Sequence, residues 1–116
     1  MVRARVANAA VTCCAAQGSE VLMRPICTQT VMVDDDLVRV ARFDFAPGAE
    51  TGWHRHGADY VITAVTDCPM LIEEPGGGSR QVLVAAGTAY RRDKGVEHNV
   101  INNGPHPMSF VEVELK

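Results

Sequence analysis

From residue 28 onward, apolar positions alternate with polar ones or cluster in short β-branched runs, and no stretch holds a 3.6-residue apolar period. Residues 28–33 read as a strand closed by the polar turn Asp34-Asp35-Asp36. Residues 37–45 alternate, with Val38 and Val40 on one side and Arg39 opposite. The apolar phase then moves to Phe43 and Phe45, which predicts a bulge or a bend there. Pro47-Gly48 ends this run. Residues 60–66 are β-branched and apolar on both faces, the pattern of a central strand. Further strands are predicted over 69–74, 80–86, 88–92, 96–102 and 108–115, separated by the glycine-rich loop 75–79, by Gly87 and by Asn103-Gly104-Pro105. In the last strand Val111, Val113 and Leu115 share one face, and Phe110, Glu112 and Glu114 share the other. Closely spaced short strands of this kind predict an all-β fold, a single-domain barrel or sandwich, and a jelly-roll barrel fits the length of the chain.

A length of 116 residues suits one domain and is too short for two. Residues 1–27 are assigned to an N-terminal arm or edge strand and residues 28–116 to the barrel. Arg3 and Arg5 precede an alanine-rich stretch over 6–16, which loosely resembles the start of a signal peptide. That stretch is poor in Leu, Ile and Phe and is interrupted by Asn8, so it is read as an arm and the protein is expected to be cytoplasmic. No apolar run approaches the roughly 18 residues of a membrane span, so no membrane partner is expected. The net charge is −3 and the arginines are scattered, so no nucleic-acid partner is expected either. Cys13 and Cys14 are adjacent, and Cys27 and Cys68 form no CxxC pair, so all are expected as reduced thiols.

The candidate chemistry lies in the histidines. His54 and His56 are two residues apart, which on a strand places both imidazoles on one face. An isolated pair of this kind also fits two solvated polar residues. His98 follows in a second strand-like segment opened by Gly95. A third imidazole arriving from a neighbouring strand gives a three-histidine site with open coordination positions, which a catalytic metal needs. Imidazole accepts several divalent transition metals, so the donor type does not choose among them. If no bulge intervenes, residues 54, 56, 58 and 60 share one face, and Tyr60 points inward as a candidate catalytic residue that orients substrate or moves a proton. Trp53, Tyr60, Tyr90, Met108 and Phe110 are the candidate pocket residues, with Trp53 read either as a wall of the pocket mouth or as a rim aromatic. Alternation puts Arg91 and Arg92 on opposite faces, so that one can face the cavity or both can be solvated. His106, between two prolines, is expected in solvent, and Asn102 is expected to brace a turn or a histidine.

The spacing carries a resemblance. Gly48, His54 and His56, then Gly87, Gly95, His98 and Asn102, stand at the intervals of the two sequence motifs of the cupins. Thr51-Gly52-Trp53-His54-Arg55-His56, Asp59-Tyr60-Val61 and the segment from Gly95 to Asn102 are similar to a group of small cupins that includes a β-alanine degradation protein. The chain departs from the motifs at Tyr60, where they have Glu, at Asp93, where they have Pro, and near Asp67-Cys68, where they have Gly. The resemblance spans about residues 28–116. It implies a double-stranded β-helix barrel, a divalent metal held by His54, His56 and His98, and a homodimer formed through edge strands.

Cupins with three histidines and no acidic ligand resemble thiol dioxygenases and β-diketone-cleaving dioxygenases. That resemblance favours Fe(II), with Ni, Zn or Mn as alternatives. It also favours a dioxygenase-like enzyme that takes a small carbonyl, thiol or carboxylate compound as its substrate or ligand. Two other readings stay open: a metal-dependent isomerase or lyase on a sugar acid, and a non-catalytic small-molecule binder.

Overall fold

The computed structural model describes residues 23–116. Among them are nine strands and no helix: β1 (Thr28–Asp34), β2 (Val38–Phe45), β3 (His54–Arg55), β4 (Tyr60–Ala64), β5 (Cys68–Glu73), β6 (Ser79–Val84), β7 (Ala89–Arg92), β8 (Glu97–Asn102) and β9 (Met108–Leu115). They form a five-stranded sheet in the order β1-β2-β9-β4-β7 and a four-stranded sheet in the order β3-β8-β5-β6. Every strand pairing is antiparallel. The chain is therefore all-β, one jelly-roll domain. Residues 1–22, with Cys13 and Cys14 and most of the predicted arm, lie outside the described residues. At its inner end the arm is tied down: Ile26 forms a parallel bridge with Glu50, and the Cys27 N–H donates to the Glu50 carbonyl at 2.8 Å.

The core fills the space between the sheets. Phe45, Ile62, Met70, Ile72, Met108 and Phe110 are buried there. Phe43 and Phe45 flank Phe110 with ring centroids 5.3 and 5.4 Å apart. Burying such rings supplies much of the hydrophobic stabilisation.

Two sequence expectations need correction. The predicted irregularity is not in β2, whose register with β9 runs unbroken from Phe45↔Met108 to Val38↔Leu115. The bulge falls on β1, between Val31 and Val33. The apolar phase of β2 shifts because Arg39, Ala41, Phe43 and Phe45 share its inner face, while Val38 and Val40 lie on the outer one. Nor does one strand carry His54 through to Tyr60. β3 ends at Arg55, the chain bends at residues 57 and 58, and β4 starts at Tyr60 in the other sheet. Tyr60 is inward-facing because β4 is, and not by unbroken alternation from the histidines.

Cross-strand register arranges the inner face of the large sheet in rows. Arg39, Glu114, Tyr60 and Arg92 form one row, and Ala41, Glu112, Ile62 and Tyr90 the next. Phe43, Phe110 and Ala64 form a third. Charged positions thus occupy one end of the interior and aromatic ones the other.

Candidate metal centre

His54 on β3 stands directly opposite His98 on β8, so both side chains leave the small sheet on one face. Pairing continues past β3: the His56 N–H donates to the Val96 carbonyl at 2.8 Å, and the Gly95 N–H to the His56 carbonyl at 2.7 Å. His56 is thereby held two residues beyond His54 and on the same side. The result is a convergence of ring nitrogens, with His54 Nε2 3.1 Å from His56 Nε2 and His56 Nε2 3.2 Å from His98 Nε2. Nitrogens bound to one metal at about 2.1 Å, roughly at right angles, stand about 3 Å apart. The three imidazoles therefore fit a single divalent transition ion, and imidazole is a suitable donor for it.

The backbone before His54 sets its tautomer. His54 Nδ1 lies 2.8 Å from the Gly52 carbonyl. A carbonyl only accepts, so Nδ1 carries the proton and Nε2 keeps its lone pair for the cluster. Gly52 adopts φ +86° to present that carbonyl, a conformation costly for any residue with a Cβ. Asn99, buried in β8, locks the turn: its Oδ1 accepts the Gly52 N–H at 2.9 Å. Its Nδ2 donates to Glu50 Oε1 at 2.8 Å and to Glu73 Oε1 at 3.0 Å. Arg24 closes this support from outside, 3.2 Å from Glu50 and 3.7 Å from Glu73.

Burial keeps the histidines neutral. It lowers His54 below the usual imidazole value. It lowers His56 to about 4, with His54 and Arg92 adding to the effect. It lowers His98 to about 3, with His54, His56 and Arg92 contributing. Neutral imidazoles are the metal-binding form.

The cluster opens on a cavity of about 200 Å³ lined by residues of both sheets. Of the candidate pocket residues, Tyr60, Tyr90 and Phe110 line it. Trp53 does not line it and is 54% exposed, and Met108 is buried in the core beside it. The Tyr60 ring stacks on His56, with centroids 3.7 Å apart and planes 14° apart. The Tyr60 hydroxyl is buried with no hydrogen-bond partner, and burial raises its pKa above the ordinary phenol value. Arg92 stands opposite Tyr60 on the inner face. Arg91 points outward and pairs with Asp59 at 2.9 Å and Asp93 at 3.2 Å. Asp59 also accepts the Lys94 N–H at 2.8 Å, which fastens the turn where Asp93 stands. His106 is exposed. Asn102 braces turns: its Nδ2 donates to the His106 carbonyl at 2.8 Å and its Oδ1 accepts the Gly104 N–H at 3.0 Å.

The sequence reading missed Glu112, Glu114 and Arg39, all of which line the cavity. A carboxylate oxygen from each glutamate and a ring nitrogen of His56 lie within 4.8 Å of one another. Burial raises Glu112 to about 7, with Glu114 adding to the rise and Arg39 opposing it. The signal was present, because alternation already placed both glutamates on the Phe110 face.

Known proteins agree with this architecture. The cupin domain model matches residues 41–114. The β-alanine degradation protein BauB of Pseudomonas aeruginosa is 54% identical over 93 residues, covering 80% of this chain and 97% of that protein. A cupin domain from Bordetella pertussis Tohama I, solved by crystallography, superposes with a TM-score of 0.79 at 45% identity, over 83% of this chain and 99% of that one. The polyketide cyclase RemF of Streptomyces resistomycificus superposes with a TM-score of 0.63 at 21% identity, over 83% of this chain and 71% of that one, a likeness of fold alone. With its two motifs, its jelly roll and these relatives, the chain belongs to the cupin family.

Proposed function

We propose that the protein is a metal-dependent, dioxygenase-like cupin in which His54, His56 and His98 hold Fe(II) and the cavity takes a small carbonyl, thiol or carboxylate compound. The observation that carries this reading is the convergence of three histidine nitrogens, 3.1 and 3.2 Å apart, on the wall of a cavity. A divalent metal there supplies a Lewis acid for a substrate oxygen or sulfur and, as Fe(II), a source of electrons for oxygen chemistry. The chain's own residues do the rest. Tyr60 offers a buried hydroxyl with no protein partner, ready to donate to a bound substrate. Arg92, opposite it, adds positive charge that favours a substrate carboxylate. Phe110 and Tyr90 shield the cavity from the core side. The relative named for β-alanine degradation favours small carboxylate compounds of that pathway's kind as first candidates.

Elemental analysis of tag-free protein, with His98→Ala beside it, tests the reading, followed by oxygen uptake with candidate substrates. Near-stoichiometric iron that is lost in the variant, with substrate-dependent oxygen uptake, is the expected result. Zinc, nickel or manganese with anaerobic turnover would replace it with a Lewis-acid isomerase or lyase. Ligand-induced stabilisation without turnover would replace it with a binder, and a wild type that takes up no metal would overturn it.

A homodimer is part of the proposal. Among the described residues β1 is an edge strand, exposed along all seven of its positions, with Val31, Met32 and Val33 among them. Such an edge is a template for pairing. A monomer at micromolar concentration by light scattering would refute it. Cytoplasmic residence fits the free thiols of Cys27 and Cys68. Secretion of the native protein, followed by fractionation, would refute that.

A further inference from the structure

Glu112 occupies a position that a strand does not ordinarily give to an acid. It lies on β9, in the middle of the five-stranded sheet, on the inner face. Its direct cross-strand neighbours are Ala41 and Ile62, so neither adjacent position offers a polar partner. Glu114, two residues on, stands between Arg39 and Tyr60. Among the described residues neither carboxylate is in a hydrogen bond, and neither is within 4.0 Å of a cationic group. The one nearby ion pair of Arg39 goes instead to Asp34, at 3.8 Å. Both carboxylates are half-buried, and a desolvated carboxylate without a partner is kept where a cation or a metal answers it.

Two independent features say what answers it. The first is proximity: carboxylate oxygens of Glu112 and Glu114 and a ring nitrogen of His56 are all within 4.8 Å of one another. The second is the Tyr60 hydroxyl, which is fully enclosed, unpartnered, and in the row that contains Glu114. The two clusters share His56: the three neutral imidazoles stand on one wall, and the two glutamates on the facing wall approach that same ring. The geometry points to Glu112 as an oxygen ligand of the ion held by His54, His56 and His98, with Glu114 and Tyr60 beside it as hydrogen-bonding partners of whatever else that ion binds. This rests on the metal-centre reading above. It changes the chemistry of that site, since a carboxylate removes one unit of positive charge from the centre and makes its donor set harder, favouring Fe(II) or Mn(II) over softer ions.

The test uses Co(II) as a spectroscopic probe with the metal-free full-length protein. Affinity is measured by chelator competition, and the visible ligand-field spectrum is recorded for wild type, Glu112→Gln, Glu112→Asp, Glu114→Gln and His98→Ala. Glu112→Gln keeps the shape and removes a half-buried charge that has no partner, so the fold should hold, and a thermal melt without metal checks this. The expected result is at least a 10-fold loss of Co(II) affinity in Glu112→Gln with a changed spectrum, against a loss of less than about threefold in Glu114→Gln. Should Glu112→Gln fail to fold, Glu112→Asp gives the answer, because a shortened carboxylate ligand shifts the spectrum and a bystander does not. Wild-type affinity in Glu112→Gln, combined with loss of binding in His98→Ala, would overturn the Glu112 assignment and leave the three-histidine centre intact. A loss of affinity with an unchanged spectrum would overturn ligation, making Glu112 a support for His56. Absence of Co(II) binding in the wild type would overturn both.

Discussion

Replacing Asn99 by Ala separates the scaffold of the site from the site itself. Asn99 is 2% exposed and ties three elements together without touching the proposed ion. Its Nδ2 donates to two carboxylates, Glu50 at 2.8 Å and Glu73 at 3.0 Å, and its Oδ1 accepts the Gly52 N–H at 2.9 Å. Hydrogen bonds to charged groups contribute about 1.5–3 kcal/mol each, and an orphaned buried N–H costs about 1–3 kcal/mol. These terms overlap, and Arg24 still answers both carboxylates, so the expected net loss is about 3 kcal/mol. For a domain of this size that lowers Tm by more than about 10 °C. The second consequence is chemical. Gly52 holds the proton of His54 Nδ1 through its carbonyl, and once Gly52 is loose the imidazole can turn its lone pair away. Metal affinity should then fall about 10- to 100-fold, the usual cost of removing a group that orients a ligand. Asn99→Asp distinguishes the two effects. It keeps an acceptor for Gly52 but sets a third carboxylate against Glu50 and Glu73, so it should retain more metal affinity than Ala while losing at least as much stability at neutral pH. Urea denaturation of the metal-free protein and chelator competition measure the two quantities. A loss below about 1 kcal/mol with unchanged affinity in Asn99→Ala would refute the idea that this network positions His54.

The Cys27 thiol is pushed up to about 12, chiefly by burial, with the Asp44 and Glu50 carboxylates adding to it. The neutral thiol is the favoured form, so at pH 8 its thiolate fraction falls at least about 100-fold below that of a free cysteine with pKa about 8.5. Iodoacetamide should therefore label native Cys27 at least that much more slowly than a cysteine peptide, with a rate still climbing at pH 10. Site-resolved mass spectrometry showing equal rates at pH 8 would contradict this. At Gly104, an added Cβ would lie 2.5 Å from Pro69 Cγ and 3.5 Å from Pro69 Cβ, and the ring cannot rotate away. Gly104→Ala should cost about 1–3 kcal/mol by overpacking, most of it recovered in a Pro69→Ala background. Gly78→Ala, where nothing lies within 4 Å, should change stability little. Equal effects at the two glycines in chemical denaturation would exclude the clash.

The strands were legible because alternation and turn residues act locally. Pro47-Gly48, the glycine-rich loop before β6 and Asn103-Gly104-Pro105 end elements wherever those elements pair. The three histidines were legible because His54 and His56 share a face by period alone. Their meeting with His98 depends on the β3–β8 register, and the motif spacing stood in for that register. The bend between His56 and Tyr60 was not legible, since Gly57-Ala58-Asp59 carries no proline and reads equally as strand or turn. Glu112 and Glu114 were misjudged for a different reason. Alternation put them on the face of Phe110, itself a candidate pocket residue, yet neither was named with it, since carboxylates ordinarily belong in water. The inner faces of β2 and β9 show what that expectation hides. Along β2 the inner residues run from Arg39 through Ala41 to Phe43 and Phe45. Along β9 they run, in the opposite chain direction, from Glu114 through Glu112 to Phe110 and Met108. Antiparallel pairing then matches Arg39 with Glu114 and Phe43 with Phe110, so polarity changes along the length of both strands and not only between their faces. Two adjacent strands graded in the same sense are not ordinary core strands, because their charged ends are half-buried and line the cavity while their aromatic ends pack in the core. They describe an interior packed at one end and reserved for a polar occupant at the other, and the histidines on the opposing sheet open onto that same cavity.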